Sequence, residues 1–238
     1  MPATVATKPA SAASVPLALA AVYVIWGSTY LAIRFALEGG FPAFLLGGVR
    51  FLVAGSLMYG VLRWRGVPAP TRAQWRNLAV MGVLLLLMGN GMVNLGEQTV
   101  SSGMTAVIVS SSALWMGVFA ALRGHRPSTM EWSGLGIGFL GVLWLSTGGS
   151  LAGTPMGLAA LLLASVAWSF GSIWSKGRDL PSPFMAAAGQ MLCGGVAMVV
   201  LGVALKERFG GRELAAMGVI LLGVVLITLA KVFERQPA

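Results

Sequence analysis

Charge is scarce in this sequence. Only 10% of its 238 residues are Asp, Glu, Lys or Arg, against roughly a quarter in a soluble domain. A chain this poor in charge cannot cover a water-facing surface of its own size, which excludes an ordinary soluble fold. The single cysteine, Cys193, sits inside an apolar run. It has no partner in the chain for a disulfide and reads as a buried inert thiol. The single histidine, His125, lies in RGHRPS with no cysteine or second histidine near it, so the spacing of a zinc site is missing. The single aspartate, Asp179, falls between apolar runs and leaves no Ser/His/Asp set. A glycine-rich phosphate loop with its lysine is also lacking. These gaps argue against an enzyme, an ATP-driven pump and any cofactor.

What is abundant is apolar sequence: 57% of residues are hydrophobic. A helix that crosses a bilayer needs roughly 17–25 mostly apolar residues. Eight segments qualify: Pro16–Ala36, Pro42–Leu62, Asn77–Leu95, Gly103–Leu122, Trp132–Gly148, Met156–Ser175, Pro183–Leu205 and Leu214–Ala230. Pro16, Pro42 and Pro183 each open a run, and Pro155 just precedes one. Proline is tolerated there because a first-turn amide has no intrahelical partner. The fold class expected is an all-α membrane protein of about eight transmembrane helices. Residues 1–15, small and polar, are expected to be a disordered N-terminal segment. The apolar run after Lys8 is too long for the core of a cleaved signal peptide and reads as a retained first helix.

The net charge of +9 does not point to nucleic acid, because the basic residues fall in short clusters between apolar runs. Such clusters set membrane orientation. With the N-terminus in the cytoplasm, inner segments hold eleven basic residues: Lys8, Arg63, Arg65, Arg72, Arg76, Arg123, Arg126, Lys176, Arg178, Lys231 and Arg235. Outer loops hold four: Arg34, Lys206, Arg208 and Arg212. The excess favours both termini inside, with the lipid bilayer as the principal partner.

The chain also repeats itself. AAVYVIWGSTYLAIR in the first half answers to LLLASVAWSFGSIWSKG in the second, and Trp26 aligns with Trp168. FPAFLLGGVRFLVAG answers to SPFMAAAGQMLCGG, which aligns Arg50 with Gln190. EWSGLGIGFLGVLWLS from Glu131 answers to ELAAMGVILLGVVLIT from Glu213 at a constant offset of 82. The matched Trp and Glu stand 105 positions apart in the first half and 45 in the second. The deficit of 60 residues is the length of two membrane helices with their loops. The domains expected are a first repeat of five helices over 16–148 and a shortened repeat of three over 156–230, with a tail at 231–238. Both helix counts are odd, so the second half enters the membrane from the opposite side. Inverted-topology repeats of this kind are common in secondary transporters.

The segments WGSTYLAIR, GGVRFLVAG, NLGEQTVSSGMTAVIVSSSALW and EWSGLGIGFLGVLWL resemble the EamA branch of the drug/metabolite transporter superfamily. The resemblance spans nearly the whole chain after Pro16. It implies two inverted five-helix halves in the bacterial inner membrane and a carrier, often an exporter, of amino acids, other metabolites or drugs. The sequence departs from the pattern by lacking counterparts of the eighth and ninth helices. It also has Ala113 where the family usually places a proline.

The candidate substrate-binding residues are polar or aromatic groups inside apolar runs. Arg50 is the only basic residue well inside one, and a central Arg costs about 2.5–3.5 kcal/mol on insertion scales. It reads as an anion contact, for example for a carboxylate, or as a structural Arg that caps carbonyls. Asn90, Asn94 and Glu97 fall at i, i+4 and i+7 on one helical face, suited to lining a cavity or to bonding neighbouring helices. Trp26 with Tyr30, and Trp168 with Ser172, form the repeat-related aromatic faces. Ser111 with Trp115, and Gln190 opposite Arg50, complete the set. Ala113, Gly117 and Ala121, like Gly134 and Gly138, have the small-residue spacing of close helix packing or of a homodimer contact. The leading expectation is a secondary transporter of a small-molecule substrate working by alternating access. A transport-incompetent or accessory protein derived from such a carrier is the second reading, motivated by the missing 60 residues.

Overall fold

A computed structural model describes residues 14–125, 127–146, 153–211, 215 and 218. Seven helices run through these residues: α1 Ser14–Glu38, α2 Ala43–Trp64, α3 Arg72–Gly96, α4 Ser102–Leu122, α5 Thr129–Ser146, α6 Pro155–Ser175 and α7 Pro183–Ala204. Their bounds lie close to those expected from the apolar runs. Five of them, α2, α3, α4, α6 and α7, are long and apolar enough to cross a membrane. The eighth expected run, Leu214–Ala230, lies almost wholly outside the described residues, as do residues 1–13 and the 231–238 tail. Among the described residues five candidate spans are found, and the expected count of eight is not confirmed by them.

Helix starts are set locally. The Thr71 side chain accepts from the Gln74 amide (3.2 Å), and the Gln74 side chain accepts from the Thr71 amide (3.0 Å). This reciprocal pair satisfies two amides that the first turn of α3 would leave open. Ser101 and Thr154 accept from Met104 and Gly157 in the same way. The start of α2 is capped from a distance instead. The Glu207 carboxylate, just past the end of α7, accepts from the amides of Phe44 (3.1 Å) and Leu45 (3.0 Å). A carboxylate at a helix N-terminus also meets the positive end of the helix dipole. The contact fixes α2 and α7 as antiparallel neighbours.

The α2–α7 seam is built from glycine. A Cβ on Gly48 would come within 3.1 Å of the Gly195 carbonyl, and one on Gly195 within 3.0 Å of the Gly48 carbonyl. With little hydrophobic drive between helices in lipid, such backbone approach is a main source of association. On its other side α7 meets α3, where a Cβ on Gly82 would lie 2.6 Å from the Gly194 nitrogen. Serine joins α6 to α4, with Ser165 bonding the Ile108 carbonyl (3.1 Å) and Ser169 the Ser112 carbonyl (2.8 Å). On α5, a Cβ on Gly134, Gly136, Gly138 or Gly141 would meet nothing within 4 Å. The packing role expected of Gly134 and Gly138 is therefore not used within the described residues. Gly117 does pack, against Trp132 and Leu135. Large apolar side chains such as Ile137, Leu140, Phe184 and Val200 face outward, as lipid requires.

Two helices are irregular. α3 passes through a π-helical stretch, Gly82–Gly91. α4 is interrupted at Ser111. There Ser110, Ser111 and Ser112 each bond the carbonyl three residues back at 2.6 Å, a pattern that bends helices.

Candidate functional site

Helices α1, α3, α6 and α7 enclose a cavity of about 300 Å³ lined by Thr29, Tyr30, Ile33, Leu85, Leu86, Asn90, Val93, Trp168, Ser172 and Gln190. A neighbouring cavity of about 400 Å³ shares Tyr30, Trp168 and Ser172 and adds residues of α4. Five residues singled out in the sequence therefore converge: Tyr30, Asn90, Trp168, Ser172 and Gln190. Among the described residues, no Lys, Arg, Asp or Glu lines either cavity.

The π-helical stretch shapes this wall. The Leu85 carbonyl accepts from both the Trp168 indole Nε1 (2.7 Å) and the Asn90 amide (3.1 Å). The indole can lie there because position 89 is glycine, and a Cβ at that position would fall onto the ring nitrogen. Trp168 thus ties α6 to α3 at the cavity edge. The Gln190 Oε1 is buried without a hydrogen-bond partner.

The other candidates stand elsewhere. Arg50 is half-buried on α2, with its guanidinium 4.9 Å over the Phe51 ring, and it lines neither cavity. Asn94 is buried and bonds the Ala43 carbonyl at 2.8 Å, fastening α3 to the start of α2. Asn90 and Asn94 therefore do not share one environment: Asn90 lines the cavity, while Asn94 meets the start of α2. Ser111 is buried against its own helix, and Trp115 faces outward beside Phe119. The side chain of Trp26 lies outside the described residues. The sequence reading passed over Thr29 and Ile33, although both sit within three residues of Tyr30, and the apolar Leu85, Leu86 and Val93, which carry no signal apart from the fold.

Glu97 stands one residue beyond the end of the α3 span. It is fully buried, and neither carboxylate oxygen has a partner. Burial pushes its carboxyl up to about 8, against the opposing pull of Arg34. The Arg34 guanidinium donates instead to the main-chain carbonyls of Glu97 (3.2 Å) and Val100 (3.4 Å), and to the Glu38 carboxylate (2.6 Å).

Residues 13–147 match the EamA-like transporter family. The chain is 41% identical over 192 residues to the uncharacterized inner membrane transporter YedA of Escherichia coli K12, covering 80% of this chain and 62% of the relative. It is 25% identical over 209 residues to the uncharacterized transporter YdfC of Bacillus subtilis, covering 84% and 67%. An uncharacterized transporter of Archaeoglobus fulgidus shares 24% over 136 residues, covering 57% and 46%. The chain spans less than two thirds of the length of the Escherichia coli relative. No solved structure matches it.

Proposed function

The chain belongs to the EamA-like transporter family, and we propose that it is a secondary carrier exporting small organic solutes by alternating access between two inverted halves. Its relatives and its apolar helices make it a multi-pass inner-membrane protein. The observation that carries the proposal is the cavity that gathers Tyr30, Asn90, Trp168, Ser172 and Gln190 from four helices. Polar groups in a membrane helix are costly unless they face protein or a water-filled path, and here they face one another.

The lining also narrows the substrate. Hydrogen-bonding groups and two aromatic rings surround apolar walls, with no charge of either sign among the described residues. That favours an uncharged solute with an apolar body over a bare carboxylate. The sequence suggested an Arg50–carboxylate contact, and the position of Arg50 over Phe51 lends it no support. The antiparallel α2–α7 seam joins the two segments that align in the repeat, as an inverted architecture requires.

The test is flux of a panel of small metabolites and drugs into and out of proteoliposomes that hold the purified chain. The cavity reading expects saturable transport of at least one solute, abolished by Ser172→Trp, which fills the cavity, and unchanged by Trp144→Phe on the outer face. No flux of any solute from folded protein would replace the carrier reading with the accessory one.

A further inference from the structure

Arg34 sits between two carboxylates and uses only one. Its Nε pairs with Glu38 at 2.6 Å, the only ion pair among the described residues. Its Nη1 is already on the main-chain oxygen of Glu97. The Glu97 carboxyl itself has no partner on either oxygen and no access to solvent. An ionised carboxylate so placed would lack both water and a donor, so its burial favours the neutral acid. Ionisation would make Arg34 the group within reach that could compensate the new charge.

The surroundings hold few competitors. α4 and α6 contain no charged or titratable residue, and the basic groups of α2 are engaged elsewhere, Arg50 over Phe51 and Arg63 on the Val67 carbonyl. α7 offers only Cys193, and Glu207 beyond its end is bound to the first turn of α2. On α1, Tyr30 lies four residues before Arg34 and hence on the same face. It lines both cavities and lies within electrostatic range of Glu97.

We propose that Glu97 is a proton-binding site, and that release of its proton to the aqueous phase draws Arg34 from Glu38 to Glu97 and resets the α1–α3 junction beside the Tyr30 cavity. The proposal rests on the carrier reading, which gives it a purpose: one proton bound or released for each change of the cavity. Above the titration point Glu97 carries the charge and holds Arg34; below it, Arg34 rests on Glu38 as observed.

The experiment is pH-difference infrared spectroscopy of the full chain in lipid nanodiscs, following the carboxylic-acid carbonyl band. Wild type should show an acid band at neutral pH that disappears as the pH rises through about 8. Glu97→Gln should lack it. Glu38→Gln, which frees Arg34, should move the titration down by about one unit or more. An acid band that survives Glu97→Gln, or is absent throughout in wild type, would overturn the assignment. A titration unmoved by Glu38→Gln would overturn the exchange of Arg34. If Glu97→Gln does not fold, the wild-type titration and its Glu38→Gln shift still decide. The spectra need no flux, so a protein that transports nothing can still pass this test, and a working carrier can still fail it.

Discussion

Two asparagines one helical turn apart show how far a residue's role depends on its surroundings. Asn94 reaches across to the Ala43 carbonyl, whereas Asn90 bonds Leu85 within its own helix. Asn94→Ala should therefore lower stability by roughly 0.6–1.7 kcal/mol, the range for interhelical hydrogen bonds in membranes. Asn90→Ala should leave stability nearly unchanged and alter the cavity instead. Equilibrium unfolding of both variants in mixed micelles checks this, and equal losses would contradict it. The sequence marked both residues as polar groups that must face inward, which they do. It could not say what each would face, because that is decided by where α2 begins and by the turn of α3. Arg50 taught the same lesson: its cost in an apolar run was legible, but its resting place over Phe51 depends on a ring that helical periodicity does not orient.

At the level of elements, the apolar runs and their opening prolines located the described helices to within about five residues. The π-helical stretch in α3 was not legible, since hydropathy records which residues are apolar and not how the backbone bonds. Glycines at 82, 89 and 91 are the one hint, and each stands where a neighbour comes close. Gly82 admits the α7 backbone, and Gly89 admits the Trp168 indole. The two should fail differently when given a methyl group. Gly82→Ala meets main chain that cannot yield, so it should lose about 1–3 kcal/mol, the usual cost of overpacking. Gly89→Ala meets a side chain that can rotate, so it should fold but release the indole from the Leu85 carbonyl. Thermal melts separate the two, and a Trp168 emission unchanged by Gly89→Ala would count against the account. The break in α4 carries a related point. Proline is absent at Ala113, yet the helix is interrupted at Ser111 by three back-bonded serines, which serve as a different means to a bend.

For the molecule as a whole, matched Trp, Gly and Glu positions suggested a repeat, and much of its second half lies outside the described residues. The long-range contacts that finish the assembly were not readable. Glu207 caps α2 across more than 160 residues, and Asp179 accepts from Gln74 and Asn77 at the opposite end. Each looked like an ordinary loop charge. The cavity was half legible: its polar members stood out in apolar sequence, while its apolar walls needed the fold. The central claim is that this cavity opens to each side of the membrane in turn. The most direct measurement is thiol labelling of Ser172→Cys in a Cys193→Ser background, with an impermeant reagent applied from one face at a time. Alternating access predicts that the thiol reacts from either face. Reaction from one face only, or from neither, in a folded protein would contradict it.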